Sequence, residues 1–463
     1  MNRRQLGVAA LALSVMVGLA ACGPGNKPST PGTGTSSSGS VFSKNLSGTL
    51  KSSGFNPSDE VGTSRSDYAK QQLGSGVKVT LDTTNFDAQK FAAQVASGRA
   101  PDLIQTDRSV IGTLADKELV IPMDDCYSLW GVKPKEQYYP STISDVSYGG
   151  KVYGVPQFFQ PSALIADKRV MNKAGVTIGQ LDTSKPDQII AAAKKMHAQS
   201  GGKPTVIGFD ADIPGSAALW FTVFGGKVSD DTGKPTLDDP NNVKALTWMK
   251  QLMDAQGGYA AVKSLKDSMD VFGNNNQYVK DQVGVQTWAQ WYVNVLSNTK
   301  AKVSLEAAPI KTLAGKPIAM AGGTAFAIPK ASKNPSAACA FAIKATSTEA
   351  WMKAGEARAA TVKKSNSINT GLFTGSPVAD QQVKAKFVAP SGSADFDQVI
   401  NTYYQILPNN VTTGSSAVGQ QITNDLGNAV VVALTGEKDP AAALTAAQAA
   451  SLRSWGQSRA GKG

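Results

Sequence analysis

The stretch "GVKVTLDTTNFDAQKFAAQVASGRAPDLIQTD" (residues 76–107) decides the fold class. In "GVKVTLD" (76–82) apolar and polar residues alternate, which is the period-two pattern of a half-buried strand. Phe91, Val95 and several alanines then follow at helical spacing, and Gly98 ends the predicted helix. The segment "PDLIQT" predicts the next buried strand. Strand, helix and strand in succession predict an α/β fold with a mainly parallel sheet.

The same alternation continues along the chain. In residues 322–355, "AFAI" predicts a short strand, Asn334 a helix cap and Pro335 the first helical turn. Residues 282–296 predict a strand, an aromatic loop and the start of a helix, and the alanine-rich residues 439–455 predict a terminal helix. About 420 residues follow the amino-terminal region, which is enough for two lobes.

The first residues have the anatomy of a secretory signal. Two arginines precede an apolar run, so residues 1–21 are predicted to be a signal peptide. The sequence "LAAC" (19–22) resembles the lipobox of bacterial lipoproteins, and this resemblance implies cleavage before Cys22 and its lipidation. The alternative is an ordinary secretory signal with a chance cysteine. Gly, Ser, Thr and Pro dominate residues 22–43, which predicts a flexible tether.

Charge and cysteine content narrow the function classes. The chain carries 46 Lys+Arg against 35 Asp+Glu, a net charge of +11, but the basic residues are scattered and no nucleic-acid motif is present. We therefore expect a solvated basic surface and no nucleic-acid partner. Cys126 and Cys339 are the cysteines that remain beside Cys22; they form either a disulfide in an oxidising compartment or two buried thiols.

The sequence contains no recognisable catalytic motif. His197 is the only histidine, and it lies on a lysine-bearing helix predicted to stop at Gly201 and Gly202. One histidine without clustered cysteines or carboxylates predicts no metal site, and we expect no cofactor. The sequence contains neither a nucleophile elbow nor a phosphate-binding loop. We predict a non-enzymatic protein; a surface glycoside hydrolase with two distant carboxylates is the enzyme alternative.

Several segments in this order resemble the extracellular solute-binding proteins of bacterial ABC importers, specifically the carbohydrate-binding group. The matching segments are "ASGRAPDLIQTDR" (96–108), "GGKVYGVP" (149–156), "MNKAGV" (171–176), "GGKVSDDTGKPTLDDPNNVKAL" (225–246), "GGTAFAIPKASKNPSAACAF" (322–341) and "DPAAALTAAQ" (439–448). The resemblance implies a two-lobe periplasmic-binding-protein-like α/β fold with a hinge and the ligand in the cleft. It also implies closure around the ligand and delivery to a membrane permease.

The resemblance further implies where the chain passes between the lobes. The first lobe is expected over residues 44–157 plus about 305–375, and the second over 158–304 plus about 376–463. Cys126 and Cys339 would then share the first lobe, which keeps a disulfide possible.

Two groups of residues are the best candidates for ligand contacts. A sugar offers flat apolar faces to aromatic rings and hydroxyl groups to amides, carboxylates or guanidinium groups. Trp288 and Trp291 in "QTWAQWY" (286–292) follow a strand, where ligand loops of α/β sheets lie, although packing in the second-lobe core is the alternative. Asp107 and Arg108 follow the strand "DLIQT" and match a sugar-binding pair of the family; the alternative is a helix cap with a solvated arginine.

The remaining candidates rest on their place in the resemblance. Their alternatives are core packing for the aromatic residues and tight turns for the glycines. They are Gly54, Phe55, Phe158, Phe159, Gln160, Asp212, Trp220, Gly322, Gly323, Thr324 and Arg358. Phe55 stands where many relatives have a tryptophan, so the resemblance is weaker there.

We therefore predict a monomeric, lipid-anchored protein on the outer face of the bacterial cytoplasmic membrane that binds a mono- or oligosaccharide. Aromatic residues and amides in the candidate cleft favour a neutral carbohydrate. A polyol, a sugar phosphate or a polyamine remains an alternative ligand. A surface adhesin is a third class, which would leave the aromatic candidates unexplained.

Overall fold

The computed structural model describes residues 40–460. The predicted signal peptide (1–21), Cys22 and residues 23–39 of the predicted tether lie outside the described residues. Two five-stranded sheets form the framework of the described part. No helix within residues 40–460 combines the length and the apolar character needed to cross a membrane.

The first sheet is mixed. Its strands in spatial order are Val77–Asp82, Gly48–Ser53, Leu103–Asp107, Thr324–Ala327 and Val155–Pro156. The first three run parallel, and Thr324–Ala327 is antiparallel to both of its neighbours. Both strands predicted from the opening stretch are confirmed. Leu103 and Ile104 are fully buried in the core of this sheet, as their unbroken apolar run predicts.

The second sheet is mostly antiparallel. Its strands in spatial order are Leu305–Ala308, Ser162–Asp167, Val283–Ala289, Lys203–Asp210 and Ala198–Ser200. Only Val283–Ala289 and Lys203–Asp210 pair in parallel. Two further two-stranded ribbons pair Ala319–Met320 with Asn410–Val411 and Ser147–Tyr148 with Lys151–Val152. The predicted parallel pairing holds for the three strands of the first sheet that come first in the chain, whereas strand Thr324–Ala327 of that sheet and most strands of the second sheet pair antiparallel.

Helices cover both sheets, and local capping determines where many of them start. The α-helices are Glu60–Leu73, Ala88–Ala96, Arg108–Asp116, Asp124–Leu129, Pro134–Gln137, Pro140–Asp145, Lys168–Lys173, Pro186–Met196, Ala217–Val223, Pro240–Asp254, Tyr259–Asp267, Tyr292–Ser297, Pro335–Ala345, Thr348–Ser365, Pro377–Phe387, Ala394–Ile406, Gly419–Leu434 and Pro440–Ala460. Asn334 caps Pro335–Ala345 as predicted, since its side chain accepts a hydrogen bond from the Ala337 amide (3.3 Å).

One predicted helix stop is wrong. The helix Pro186–Met196 ends before His197, and the chain then forms a hairpin between Ala198–Ser200 and Lys203–Asp210. Gly201 and Gly202 make the hairpin turn, with φ of 56° and 75°. A two-residue turn of this hand needs positive φ at both positions, so the Gly-Gly pair serves the hairpin.

Strand pairing and helix packing indicate where the chain passes between the two sheets. Strand Leu305–Ala308 pairs with Ser162–Asp167, so the chain is still in the second sheet at residue 305. Helix Pro377–Phe387 packs with Thr348–Ser365 around Trp351, on the side of the first sheet. The return to the first sheet therefore lies after residue 308, and the next departure lies after residue 387.

A disulfide closes the core beside the first sheet. Cys126 and Cys339 are bonded, with their Cα atoms 5.8 Å apart, and both are fully buried. The bond joins the helices Asp124–Leu129 and Pro335–Ala345. Of the two alternatives for these cysteines, the structure contains the disulfide.

Candidate functional site

A cavity lies where the carboxyl ends of strands from both sheets meet. From the first sheet, Leu103–Asp107 ends at Asp107, and from the second, Lys203–Asp210 leads into the loop that contains Gly215 and Ser216. Ligands of open α/β sheets bind outside such strand ends. The cavity measures about 380 Å³, and we call it the cleft cavity. Its walls are Asp107, Arg108, Ser109, Asp145, Ser162, Gly215, Ser216, Ala218, Leu219, Met320, Ala321, Gly322, Gly323, Thr412, Thr413 and Thr423.

Asp107 is an unpaired carboxylate in the wall of the cleft cavity. Its side chain is exposed, and its carboxylate makes no hydrogen bond or ion pair with any residue in the described part of the chain. Although solvent reaches the side chain, the surrounding cleft walls partly desolvate the carboxylate and raise the pKa of Asp107, and the charge of Arg108 opposes this rise. A carboxylate in this state accepts strong hydrogen bonds from ligand hydroxyl groups.

Arg108, the next residue, is buried and forms an ion pair and several hydrogen bonds beside the cleft cavity. Its side chain is 2% exposed, and Nε donates to Asp145 Oδ2 at 3.0 Å. Nη2 donates to the carbonyl oxygens of Ala321 (2.8 Å) and Gly322 (3.1 Å), and Nη1 donates to the Phe158 carbonyl. The guanidinium group therefore ties the strand end to two segments that pass between the sheets. It borders the cavity, but its nitrogens are already engaged.

The paired glycines lie where the sequence predicts a close approach. Gly322 and Gly323 both line the cleft cavity. Gly323 has a φ of 151°, and a Cβ there would lie 2.2 Å from Arg108 Nη1 and 2.5 Å from the Phe158 carbonyl oxygen. Glycine at position 323 is therefore required by the close approach of the buried arginine. Thr324 does not line the cavity; its hydroxyl accepts from Gln157 Nε2 at 3.2 Å.

The predicted aromatic contacts lie elsewhere. Trp288 is half-buried in the last part of strand Val283–Ala289, where its ring stacks on Tyr292 with centroids 3.9 Å apart. Trp291 is half-buried and lies nearly parallel to Phe272, a ring that is 71% exposed. Neither tryptophan lines the cleft cavity. The apolar walls of the cavity come from Ala218, Leu219, Met320 and Ala321.

Other candidates from the first sheet pack inside the protein or pair on its surface. Phe55 is 3% exposed and meets Phe326 edge-on, and Phe159 is fully buried. Phe158 packs on Trp351, and Gly54 is buried with φ of 85°. These residues, together with the half-buried Gln160 and with Arg358, which is paired with Glu60, do not line the cavity.

The two candidates near the second sheet, Asp212 and Trp220, do not line the cleft cavity. Asp212 is exposed, with φ of 53°, and accepts a hydrogen bond from Ser216 at 2.8 Å. Burial raises the pKa of Asp212, and the hydrogen bond and Lys266 oppose the rise. Asp212 lines a separate small cavity of about 210 Å³. Trp220 is 1% exposed in the core, where its Nε1 donates to the Ala211 carbonyl.

Small hydroxyl residues are the functional candidates that the sequence reasoning missed. Ser162, Ser216, Thr412 and Thr413 line the cleft cavity, although no motif distinguishes them from surface serines and threonines. These residues can be recognised as cavity residues only when the strand order and the positions of the loops are known. No group of three or more potential metal ligands occurs within residues 40–460.

Comparison with known proteins defines the class. Residues 58–352 match the sequence profile of the bacterial extracellular solute-binding proteins, and the chain belongs to this family. It is 26% identical over 221 residues to the arabinooligosaccharide-binding protein of Bacillus subtilis, covering 47% of this chain and 49% of that protein. The protein of the same description from Halalkalibacterium halodurans is 26% identical over 183 residues, covering 38% and 39%. The chain thus spans half or less of the curated relatives it matches.

Solved structures support the fold. CpMnBP1 with mannobiose bound has 22% identity and a TM-score of 0.69, covering 87% of this chain and 99% of that one. The GacH receptor of Streptomyces glaucescens, solved unliganded and with acarbose, has 18% identity and a TM-score of 0.64, covering 88% and 97%. The fold is the two-lobe α/β fold of periplasmic sugar-binding proteins.

Proposed function

We propose that this protein is the substrate-binding component of an ABC importer and captures a neutral carbohydrate in the cleft cavity. The observation that carries the proposal is the Asp107 carboxylate, which is unpaired in the described chain and lies in a cavity walled by serine and threonine hydroxyls from both sheets. Such groups match the hydroxyl edges of a sugar. The names of the curated relatives, both arabinooligosaccharide-binding proteins, point to the same ligand class.

Closure of the two lobes is the proposed mechanism. The cavity takes walls from residues at strand ends of the first sheet (Asp107, Gly322), from the second sheet and a loop that follows it (Ser162, Ser216) and from the segment after strand Asn410–Val411 (Thr412). A ligand that contacts both lobes binds the closed arrangement better than the open one and therefore shifts the population toward closure. A membrane permease would receive the sugar from this closed form. The proposal includes a monomeric chain, anchored through Cys22 to the outer face of the membrane, that releases its sugar chemically unchanged.

The lobe boundaries that we propose follow the sheets. The first lobe combines residues 44–157 with the part between the crossing that follows residue 308 and the end of helix Pro377–Phe387. The second lobe combines residues 158–308 with the chain after residue 387. The sequence prediction instead places the second part of the first lobe at about residues 305–375, and the two sets of boundaries differ only there.

Titration calorimetry with matched aspartate variants tests the proposal. A carbohydrate that binds the wild-type protein is titrated into Asp107→Asn, which removes the charged acceptor and keeps the shape. We expect the affinity to fall at least about tenfold, since a charge-assisted hydrogen bond is worth roughly 1.5–3 kcal/mol. Asp67→Asn is the control, because Asp67 is 64% exposed on a helix surface and forms its ion pair within residues 40–460 with the neighbouring Lys70. Equal affinities of Asp107→Asn and wild type would remove Asp107 from the site.

A further inference from the structure

Three segments of the chain meet at the border between the two sheets, and we call them the hinge segments. They are residues 157–160, 321–324 and 370–376. The first of them connects strand Val155–Pro156 of the first sheet to strand Ser162–Asp167 of the second. Gln157 joins all three, because its backbone amide donates to the Thr324 carbonyl (3.0 Å) and its carbonyl accepts from the Gly375 amide (2.7 Å). A movement of one sheet against the other therefore acts on the contacts of Gln157.

A chain of side-chain hydrogen bonds leads from this junction into the first sheet, and we call it the glutamine chain. The Gln157 side chain is fully buried, and its Nε2 donates to Gln105 Oε1 at 2.7 Å and to Thr324 Oγ1 at 3.2 Å. Gln105 Nε2 donates in turn to the Gly54 carbonyl at 3.1 Å. Gln105 lies two residues before Asp107 on the same strand. The glutamine chain therefore links the hinge segments to the strand that carries the carboxylate of the cleft cavity.

Arg65 stands at the start of the glutamine chain and determines its direction. Nη1 and Nη2 both donate to Gln157 Oε1 at 3.3 Å, and Nη1 also donates to the Ala345 carbonyl at 3.3 Å. A guanidinium group can only donate, so the oxygen of the Gln157 amide must face Arg65 and its nitrogen must face Gln105. The same argument then orients the Gln105 amide toward Gly54. The orientation of both glutamines thus depends on one arginine.

The position of Arg65 is unfavourable for a charged group, which indicates a specific role. The residue is 1% exposed, forms no ion pair within residues 40–460, and its Nε has no hydrogen-bond partner there. Its guanidinium carbon lies 4.0 Å from the ring centre of Trp351 and 5.0 Å from that of Phe158. Burial lowers the pKa of Arg65 to about 9, and Asp59 opposes this fall, so the group stays charged at neutral pH. An apolar side chain would fill this space without the cost of burying a charge, so the donors to Gln157 are the feature that only arginine supplies.

We propose that Arg65 is a positioning residue for ligand capture: through Gln157 it keeps the hinge segments in the arrangement from which the two lobes close on the sugar. This inference rests on the proposed function and adds to it a residue that does not line the cleft cavity. When the glutamine chain is broken, the lobes sample more arrangements, and only a fraction of the molecules is ready to bind. The apparent affinity for the sugar falls by that fraction.

Gln157→Glu tests the inference, because it breaks the glutamine chain and leaves Arg65 with an acceptor. A carboxylate accepts from Arg65 but cannot donate to Gln105 or Thr324. Calorimetry measures the affinity for the carbohydrate that binds the wild-type protein best, and small-angle X-ray scattering measures the radius of gyration with and without that carbohydrate. We expect the affinity to fall by about tenfold, since two hydrogen bonds at the hinge segments are lost. The radius of gyration of the ligand-free variant should exceed that of the ligand-free wild type, and the two should coincide at saturation.

Two further variants separate positioning from stability. Arg65→Met removes the donors, keeps most of the volume and should change the affinity and the ligand-free radius of gyration as Gln157→Glu does. Val383→Ala is the control, because Val383 is 1% exposed in the same hydrophobic cluster as Trp351 and has no polar side-chain atom. This control should lower the melting temperature and leave the affinity and the radius of gyration unchanged.

Several results would overturn the inference. One is wild-type affinity in Gln157→Glu or in a folded Arg65→Met variant. Another is a loss of affinity in Val383→Ala as large as in Gln157→Glu, because destabilisation alone would then explain the effect. If no carbohydrate binds the wild-type protein, the proposed function itself fails. The ligand-free scattering still decides the role of Arg65 in that case, since equal radii of gyration for wild type and Gln157→Glu would contradict it.

Discussion

Replacing Arg108 should destabilise the protein strongly, although the sequence presents this residue as a ligand contact. Arg108 is 2% exposed, pairs with Asp145 at 3.0 Å and donates to three carbonyl oxygens of the crossing segments. Arg108→Met keeps most of the side-chain volume and removes every one of these donors. Breaking a buried pair by removing one partner costs roughly 3–5 kcal/mol, because the other charge stays buried and uncompensated.

The pH dependence and a double variant identify the cause. Burial raises the pKa of Asp145, and Arg108 lowers it, so the variant should raise that pKa further. A carboxyl whose folded-state pKa lies above its unfolded value loses stability as pH rises through the folded pKa. The deficit of Arg108→Met should therefore grow with pH. Adding Asp145→Asn removes the unpaired charge and should restore part of the stability, with a coupling of about 1–3 kcal/mol.

Urea unfolding followed by fluorescence measures the free energies of unfolding. Arg358→Met is the matched control, since the Arg358 and Glu60 side chains are 16% and 26% exposed and water can solvate the Glu60 carboxylate that remains, so its loss should cost clearly less than that of Arg108. The reasoning fails if Arg108→Met unfolds at the same urea concentration as wild type. It also fails if both arginine variants lose the same free energy of unfolding, because burial of the arginine would then not determine the size of the loss.

Three more predictions follow from single sites. Burial raises the pKa of Asp380 to about 7, so the free energy of unfolding should fall by about 3 kcal/mol between pH 4 and 7, and Asp380→Asn should flatten this slope in urea titrations. Replacing Cys126 and Cys339 by alanine opens a link across 213 residues and should cost about 2–5 kcal/mol in the same assay, with m unchanged or larger. Gly323→Ala should lower the melting temperature by several degrees, because its Cβ would meet Arg108; an unchanged melting curve would contradict this.

Local patterns were sufficient to predict much of the framework. The strands Val77–Asp82 and Leu103–Asp107 follow directly from alternating or continuous apolar residues. The start of helix Pro335–Ala345 follows from an Asn-Pro pair whose chemistry is local. Strand order and crossing points were less accessible, since pairing of Leu305–Ala308 with the second sheet depends on partners distant in sequence.

The candidate site could be predicted only at the ends of strands. Asp107, Gly322 and Gly323 line the cavity because strand ends from the two sheets meet there. The aromatic residues were harder to place. Trp220 and Phe55 are residue types that often contact sugars, yet both are buried in hydrophobic cores. The local sequence contains no signal that separates an aromatic residue in a core from one in a binding site. The serine and threonine residues that line the cavity are common surface types, so only the fold identifies them.

The most direct test of the central claim is to find what the protein retains and in what chemical form. The purified protein is equilibrated with a mixture of neutral mono- and oligosaccharides, polyols, sugar phosphates and polyamines, and the retained compound is identified by mass spectrometry. We predict that a neutral carbohydrate is retained intact and raises the melting temperature, with a stabilisation of about 2.7 kcal/mol at a hundredfold excess over Kd. Retention of a polyamine or sugar phosphate alone, or recovery of a cleaved sugar, would contradict the account.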